Sequence, residues 1–122
     1  MSGFSKINYK GKEIIYLDYR GASEEQMIEY LCAAEETILE EQKPFMTLTN
    51  IYDAYATKGY LSRAQELGRK TQHLSIAGAI VGVTGGKLVL LKVFNRMFAK
   101  GEGLKPFDTE EEALDYLVSQ CS

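Results

Sequence analysis

Apolar positions along the chain alternate between unbroken runs and helical spacings. The clearest case is the stretch 76–94, IAGAIVGVTGGKLVLLKVF. An apolar run over 76–83 stops at Thr84-Gly85-Gly86, and apolar residues at helical spacing follow. A buried parallel strand that turns tightly into a helix has this profile. A strand buried on both faces needs helices on both sides, so the joint predicts an α/β domain.

The remaining pattern supplies the other elements. Residues 6–9 and 13–19 (EIIYLDY) flank Lys10-Gly11-Lys12 and predict a β-hairpin, since β-branched and aromatic residues surround a glycine turn. Ser23 and Gln26 form a capping pair ahead of a helix that runs to about Gln42, where Pro44 forbids continuation. Met27, Leu31, Ala34 and Ile38 make its apolar stripe, and glutamates such as Glu24, Glu29, Glu35 and Glu36 make the solvated remainder.

FMTLTNI (45–51) reads as a strand, and YDAYATKG (52–59) as a loop rich in tyrosine. Tyr60, Leu61, Ala64, Leu67 and Leu74 mark a second helix, 76–83 a strand and 86–99 a third helix. A short strand at 104–107 and a helix capped by Asp108 with Glu111 complete the order β-β-α-β-α-β-α-β-α. Such an order predicts a mixed sheet, parallel except at an edge, with helices packed around it.

Composition narrows the functional classes. The chain has 122 residues, 45% of them apolar and 25% charged, which fits one domain with its own core. Neither an export signal nor a membrane span is present in the pattern, which predicts a cytoplasmic protein without membrane insertion. Cys32 and Cys121 are far apart, so no disulfide framework is expected, and Cys32 reads as a small core residue.

The net charge of −3 is unevenly spread: residues 1–55 carry ten acids and five bases, residues 56–105 two acids and nine bases, and residues 106–122 five acids alone. A basic centre between acidic ends suits an anionic ligand or self-association, and it equally suits helices that are simply solvated.

Several passages together resemble a known family. YLDYRG before an acidic capped helix, MTLTNI, AGAIVGVTGGK and FDTEEEALDYL are similar to the SpoIIAA-like group of STAS-type domains, often described with the lipid-carrying CRAL-TRIO domains. The resemblance spans about residues 7–117. It implies a STAS-like α/β fold for a single domain over 1–122. STAS domains that antagonise anti-sigma factors carry a phosphorylatable serine after the third strand. The matching stretch here, 49–54 (TNIYDA), has no serine before Ser62, so the resemblance does not extend to that switch.

Candidate chemistry concentrates in two turns. Gly82-Val83-Thr84-Gly85-Gly86-Lys87 is one residue short of a P-loop, and Leu88 stands where the magnesium-binding hydroxyl belongs, so nucleoside triphosphatase activity is excluded. Thr84, the amides of Gly85 and Gly86, and Lys87 remain a candidate anion cradle, although a tight βα turn alone also requires such glycines. Ligands of open α/β sheets bind at the carboxyl ends of the strands. Asn50, Tyr52, Asp53, Tyr55 and Thr57 therefore make the second half of a candidate binding rim beside Thr84.

The third helix presents Leu90, Leu91, Val93, Phe94, Met97 and Phe98 on one broad face, with Lys92, Asn95 and Arg96 opposite. That surface suits sheet packing, a dimer contact or the wall of a lipid-sized pocket. No catalytic set emerges. His73 reads as a helix C-terminal residue favoured by the dipole. Three Cys and His residues in all are too few for a structural zinc site, and neither a cofactor nor nucleic acid is indicated. The expectation is a non-catalytic, cytoplasmic regulatory or binding domain, a homodimer that recognises a protein partner or small ligand. A carrier of lipid or another apolar molecule is the alternative, and it requires a cavity beneath Leu90, Phe94 and Met97 that opens near the tyrosine loop.

Overall fold

The structure, a computed structural model, describes residues 3–96 and 103–120. Its elements follow the expected order: β1 (Gly3–Tyr9), β2 (Lys12–Asp18), α1 (Glu24–Glu41), β3 (Phe45–Asn50), α2 (Lys58–Thr71), a 3₁₀ turn (Gln72–Leu74), β4 (Ser75–Val81), α3 (Lys87–Asn95), β5 (Leu104–Phe107) and α4 (Glu110–Gln120). Met97, Phe98, Ala99 and Cys121 lie outside the described residues, as does the side chain of Leu90.

The five strands lie in the sheet in chain order, β1 to β5. β1 pairs with β2 antiparallel and every later pair is parallel. Lys10 and Gly11 both have positive φ, 51° and 81°, the geometry of the two-residue hairpin turn that matches strand twist.

Because each parallel crossover steps in the same direction and crossovers are right-handed, all three connecting helices fall on one face. Ile15, Leu17, Met27, Leu31, Ile38, Leu67, Leu91 and Phe94 share one core with α1, α2 and α3. Among the described residues, α4, which crosses back after β5, alone covers the other face, with Ala113 and Leu117 on Ile14, Met46, Leu48 and Val81. The expected double burial of the β4 region holds for Ala77 to Val81, while Ile76 at the strand's start is 38% exposed.

Local signals explain the boundaries. Ser23 and Gln26 make the reciprocal capping box as expected, and Gln42 ends α1 in the left-handed region before Pro44. α4 is capped one residue later than expected: Thr109 Oγ1 accepts from Glu112 N at 3.2 Å, and the Asp108–Glu111 pair is not used. Both pairs have the capping spacing, so sequence alone left the register open.

Three side chains depart from expectation. Glu35 is buried between α1 and α2, where it meets Arg63 Nη1 at 3.1 Å and Lys70 Nζ at 3.4 Å. Part of the basic central charge thus balances the acidic first helix within the fold. Val93, placed on the inner face of the third helix by its spacing, is 48% exposed. Asn95 instead turns to β5, accepting from Leu104 N at 2.9 Å and donating to Leu104 O at 2.8 Å.

Candidate functional site

The carboxyl ends of β2, β3 and β4 form one rim, and the turns that leave β3 and β4 interlock there. Ile51 N donates to Val81 O at 3.0 Å, which prolongs the β3–β4 ladder into both turns. Gly82 follows with φ of 90°, and a Cβ on it would lie 2.5 Å from Tyr52 N and 3.0 Å from Ile51 C. Only a residue without a side chain lets the two backbones come this close. Lys87 Nζ donates to Ile51 O at 2.8 Å and ties the start of α3 to the β3 exit.

Each predicted rim residue has a definite place. Asn50 is buried, its Oδ1 accepting from Tyr52 N at 3.0 Å and its Nδ2 donating to Glu110 Oε2 at 3.0 Å. Tyr52 is 42% exposed, and its hydroxyl donates to Asp108 O at 3.0 Å. Asp53 has φ of 55°, a conformation that aspartate tolerates better than most residues, and its carbonyl accepts from Gly21 N at 3.2 Å. Tyr55 is the most exposed large hydrophobic side chain among the described residues, at 82%. Thr57 caps α2, its Oγ1 accepting from Tyr60 N at 3.3 Å.

The glycine turn is closed by its own backbone. Thr84, Gly85 and Gly86 carbonyls accept from Lys87, Leu88 and Val89 amides at 3.1, 3.1 and 3.2 Å. These three amides are therefore engaged within the turn, and the Lys87 ammonium reaches the Ile51 carbonyl rather than standing alone over the glycines. Thr84, Gly85 and Gly86 themselves are exposed.

Sequence reasoning missed a polar cluster on the α4 side of the same rim. Ile14, Tyr16 and Asp18 alternate on one face of β2, so Asp18 reaches the rim directly beside Asn50, its register partner in β3. Arg20 grips the buried Asp18 with Nε to Oδ1 at 2.9 Å and Nη2 to Oδ2 at 2.7 Å. This forked, charge-assisted pair holds the Asp18 carboxyl below its ordinary range.

Tyr16 donates to Glu110 Oε2, the oxygen that Asn50 also uses. Burial, reinforced by the Glu110 carboxylate, pushes the Tyr16 phenol up to about 12. Glu110 sits in the first turn of α4, where the helix dipole favours an anion. The available signal was an aspartate closing a strand just after the apolar run 14–17, two residues from an arginine.

A separate cavity of about 160 Å³ lies between the sheet and α1 and α2. Leu31, Ala34, Ala64 and Leu67 wall it from the helices, and Thr47, Thr49 and Gly78 form its floor. Phe94 borders it, as expected for an apolar pocket beside the third helix. Its exposed lining residues, Ser75 and Ile76, lie at the amino end of β4, while Tyr52 and Tyr55 do not line it. The expected opening beside the tyrosine loop is thus replaced by one toward the opposite end of the sheet.

Among the described residues, no group of three or more His, Cys, Asp or Glu side chains is placed to hold a metal ion, and no helix is long and apolar enough to cross a membrane. In comparisons with known proteins, no family model, curated protein or solved structure matches the chain.

Proposed function

We propose that this chain is a non-catalytic binding domain of the SpoIIAA-like STAS type that works in the cytoplasm as a homodimer. It recognises a protein partner or small ligand on the rim formed by the β3 and β4 exits. The observation that carries this reading is the interlock of the two turns, with Gly82 against Tyr52 and Lys87 on Ile51. A rigid platform of this kind holds the exposed Tyr52 and Tyr55 rings ready for contact, and tyrosine offers large area at low entropic cost on binding.

Internal pairing of the ionisable groups favours recognition over proton transfer: Asp18 is held by Arg20, and Glu110 by Tyr16 and Asn50. For the homodimer, support comes from the outer side of α3, where Leu88, Val89 and Val93 are 42%, 63% and 48% exposed. A second copy of the chain would cover that row.

Native mass spectrometry of gently purified full-length protein tests the reading. A dimer, or a retained partner or ligand that is lost on Tyr55→Ser, is expected. A bare monomer at every concentration overturns it.

A further inference from the structure

The cavity behind the sheet supports an inference that goes beyond the rim and stands independently of it. We infer that the space between α1, α2 and the sheet is a binding site for one small, neutral, ring-sized molecule with a single hydrogen-bonding group, of which phenol is the simplest example.

The cavity follows from the sequence. Ala34 on α1, Ala64 and Gly68 on α2, and Gly78 on β4 place small residues where two helices meet the sheet. Ordinary cores fill such junctions with leucine or phenylalanine, because voids sacrifice contacts on every side. A Cβ on Gly78 would lie 2.7 Å from Leu104 Cδ2, the end of a side chain that can turn aside, and 3.2 Å from Thr47 Oγ1.

The volume selects the size of the occupant. At about 160 Å³ it is close to the ~150 Å³ of an engineered apolar cavity that stays dry and takes up benzene. A single ring fits, and a long acyl chain does not.

Polarity selects the chemistry. The helical wall is mainly apolar, with Tyr60 and Phe94 beside its aliphatic residues, and among the described lining residues there is no Asp, Glu, Lys, Arg or His, so a charged ligand would have to shed its hydration without a counter-charge from them. One side of the floor is different. Thr49 is 4% exposed, lines the cavity and has no side-chain hydrogen bond among the described residues. A ligand hydroxyl or amine that reaches Thr49 Oγ1 would satisfy both groups at once. Thr71 adds an acceptor, because its hydroxyl proton already goes to Leu67 O at 2.9 Å.

The test titrates the full chain with benzene and with phenol, using ¹H–¹⁵N correlation spectra and thermal melts. Saturable shifts at Leu31, Ala64, Leu67 and Thr49, with a rise in Tm, are expected, and phenol should bind at least tenfold more tightly than benzene. Thr49→Val should erase the advantage of phenol and leave benzene binding intact. Ala64→Leu should weaken both ligands at least tenfold, and ¹²⁹Xe shifts of the unaltered protein check the cavity should that variant fail to fold.

Shifts confined to the Tyr52–Lys87 rim, no saturable shifts at all, or tighter binding of dodecanoate than of phenol would each overturn the proposal. Because the cavity and rim resonances are separate, failure here leaves the rim reading standing, and the reverse also holds.

Discussion

Replacing Gly82 by alanine tests how tightly the two rim turns interlock. Gly82 has φ of 90°, and the added Cβ would meet Tyr52 N at 2.5 Å, Ile51 C at 3.0 Å and Tyr52 Cα at 3.1 Å. All three atoms are backbone, so no side chain can swing away to relieve the contact. Gly85 is the internal control: its φ is also positive, at 56°, but a Cβ there meets nothing within 4 Å.

Left-handed backbone strain alone costs about 1 kcal/mol, and overpacking against a rigid neighbour adds typically about 1–3 kcal/mol. Gly85→Ala should then lose about 1 kcal/mol and Gly82→Ala about 2–4 kcal/mol. With a urea m-value of about 1.5 kcal/mol/M, the midpoints fall by roughly 0.7 M and 1.3–2.7 M. Equilibrium urea unfolding followed by circular dichroism measures both shifts. Hydrogen exchange should also show lost protection at the Ile51 amide, which donates to Val81 O. Equal midpoint losses in the two variants, with Ile51 protection intact, would refute the interlock.

The other predictions concern the polar ties around that rim. The Asp18 carboxyl is held below its ordinary range by Arg20, so its contribution is full above about pH 4 and disappears as pH falls through the folded value. Asp18→Asn should accordingly flatten the acid limb of a stability–pH profile and cost about 1 kcal/mol at pH 7, a small figure because Arg20 is half-exposed. Tyr16 titrates the other way: a phenol raised to about 12 stabilises the fold below about pH 10, and that contribution is lost as pH rises through 12.

Absorbance at 295 nm should therefore show late-ionising tyrosines in the folded protein, Tyr60 among them at about 12, and one fewer in Tyr16→Phe. Lys87→Met removes the bond to Ile51 O and should destabilise by about 1 kcal/mol, read from the urea midpoint.

Much of the architecture was legible because each boundary carries a local physical signal. Ser23 with Gln26, the Lys10-Gly11 turn and Pro44 act within a few residues of themselves, and each marks an element edge where the structure has one. The order of strands in the sheet has no such signal, because it is decided by contacts between distant segments. Placement of α1, α2 and α3 on one face came from that order.

The candidate rim was legible as far as the convergence of Asn50, Tyr52 and Lys87, which follows from adjacent parallel strands. Engagement of the Lys87 ammonium and of the α3 amides was not legible, since a loop's hydrogen bonds depend on its conformation rather than its composition. Asp18, Tyr16 and Glu110 escaped notice for a related reason. Their cluster joins β2 to α4 across 94 positions between Tyr16 and Glu110, and no local pattern links the two.

The lopsided layering, three helices on one face and α4 alone on the other, has a consequence for synthesis. As the chain leaves the ribosome, Ile14, Met46, Leu48 and Val81 emerge long before Ala113 and Leu117, which cover them. During that interval the nascent domain carries a bare apolar surface, open to chaperones or to collision with its neighbours. A premature stop just ahead of α4 would make that brief condition permanent.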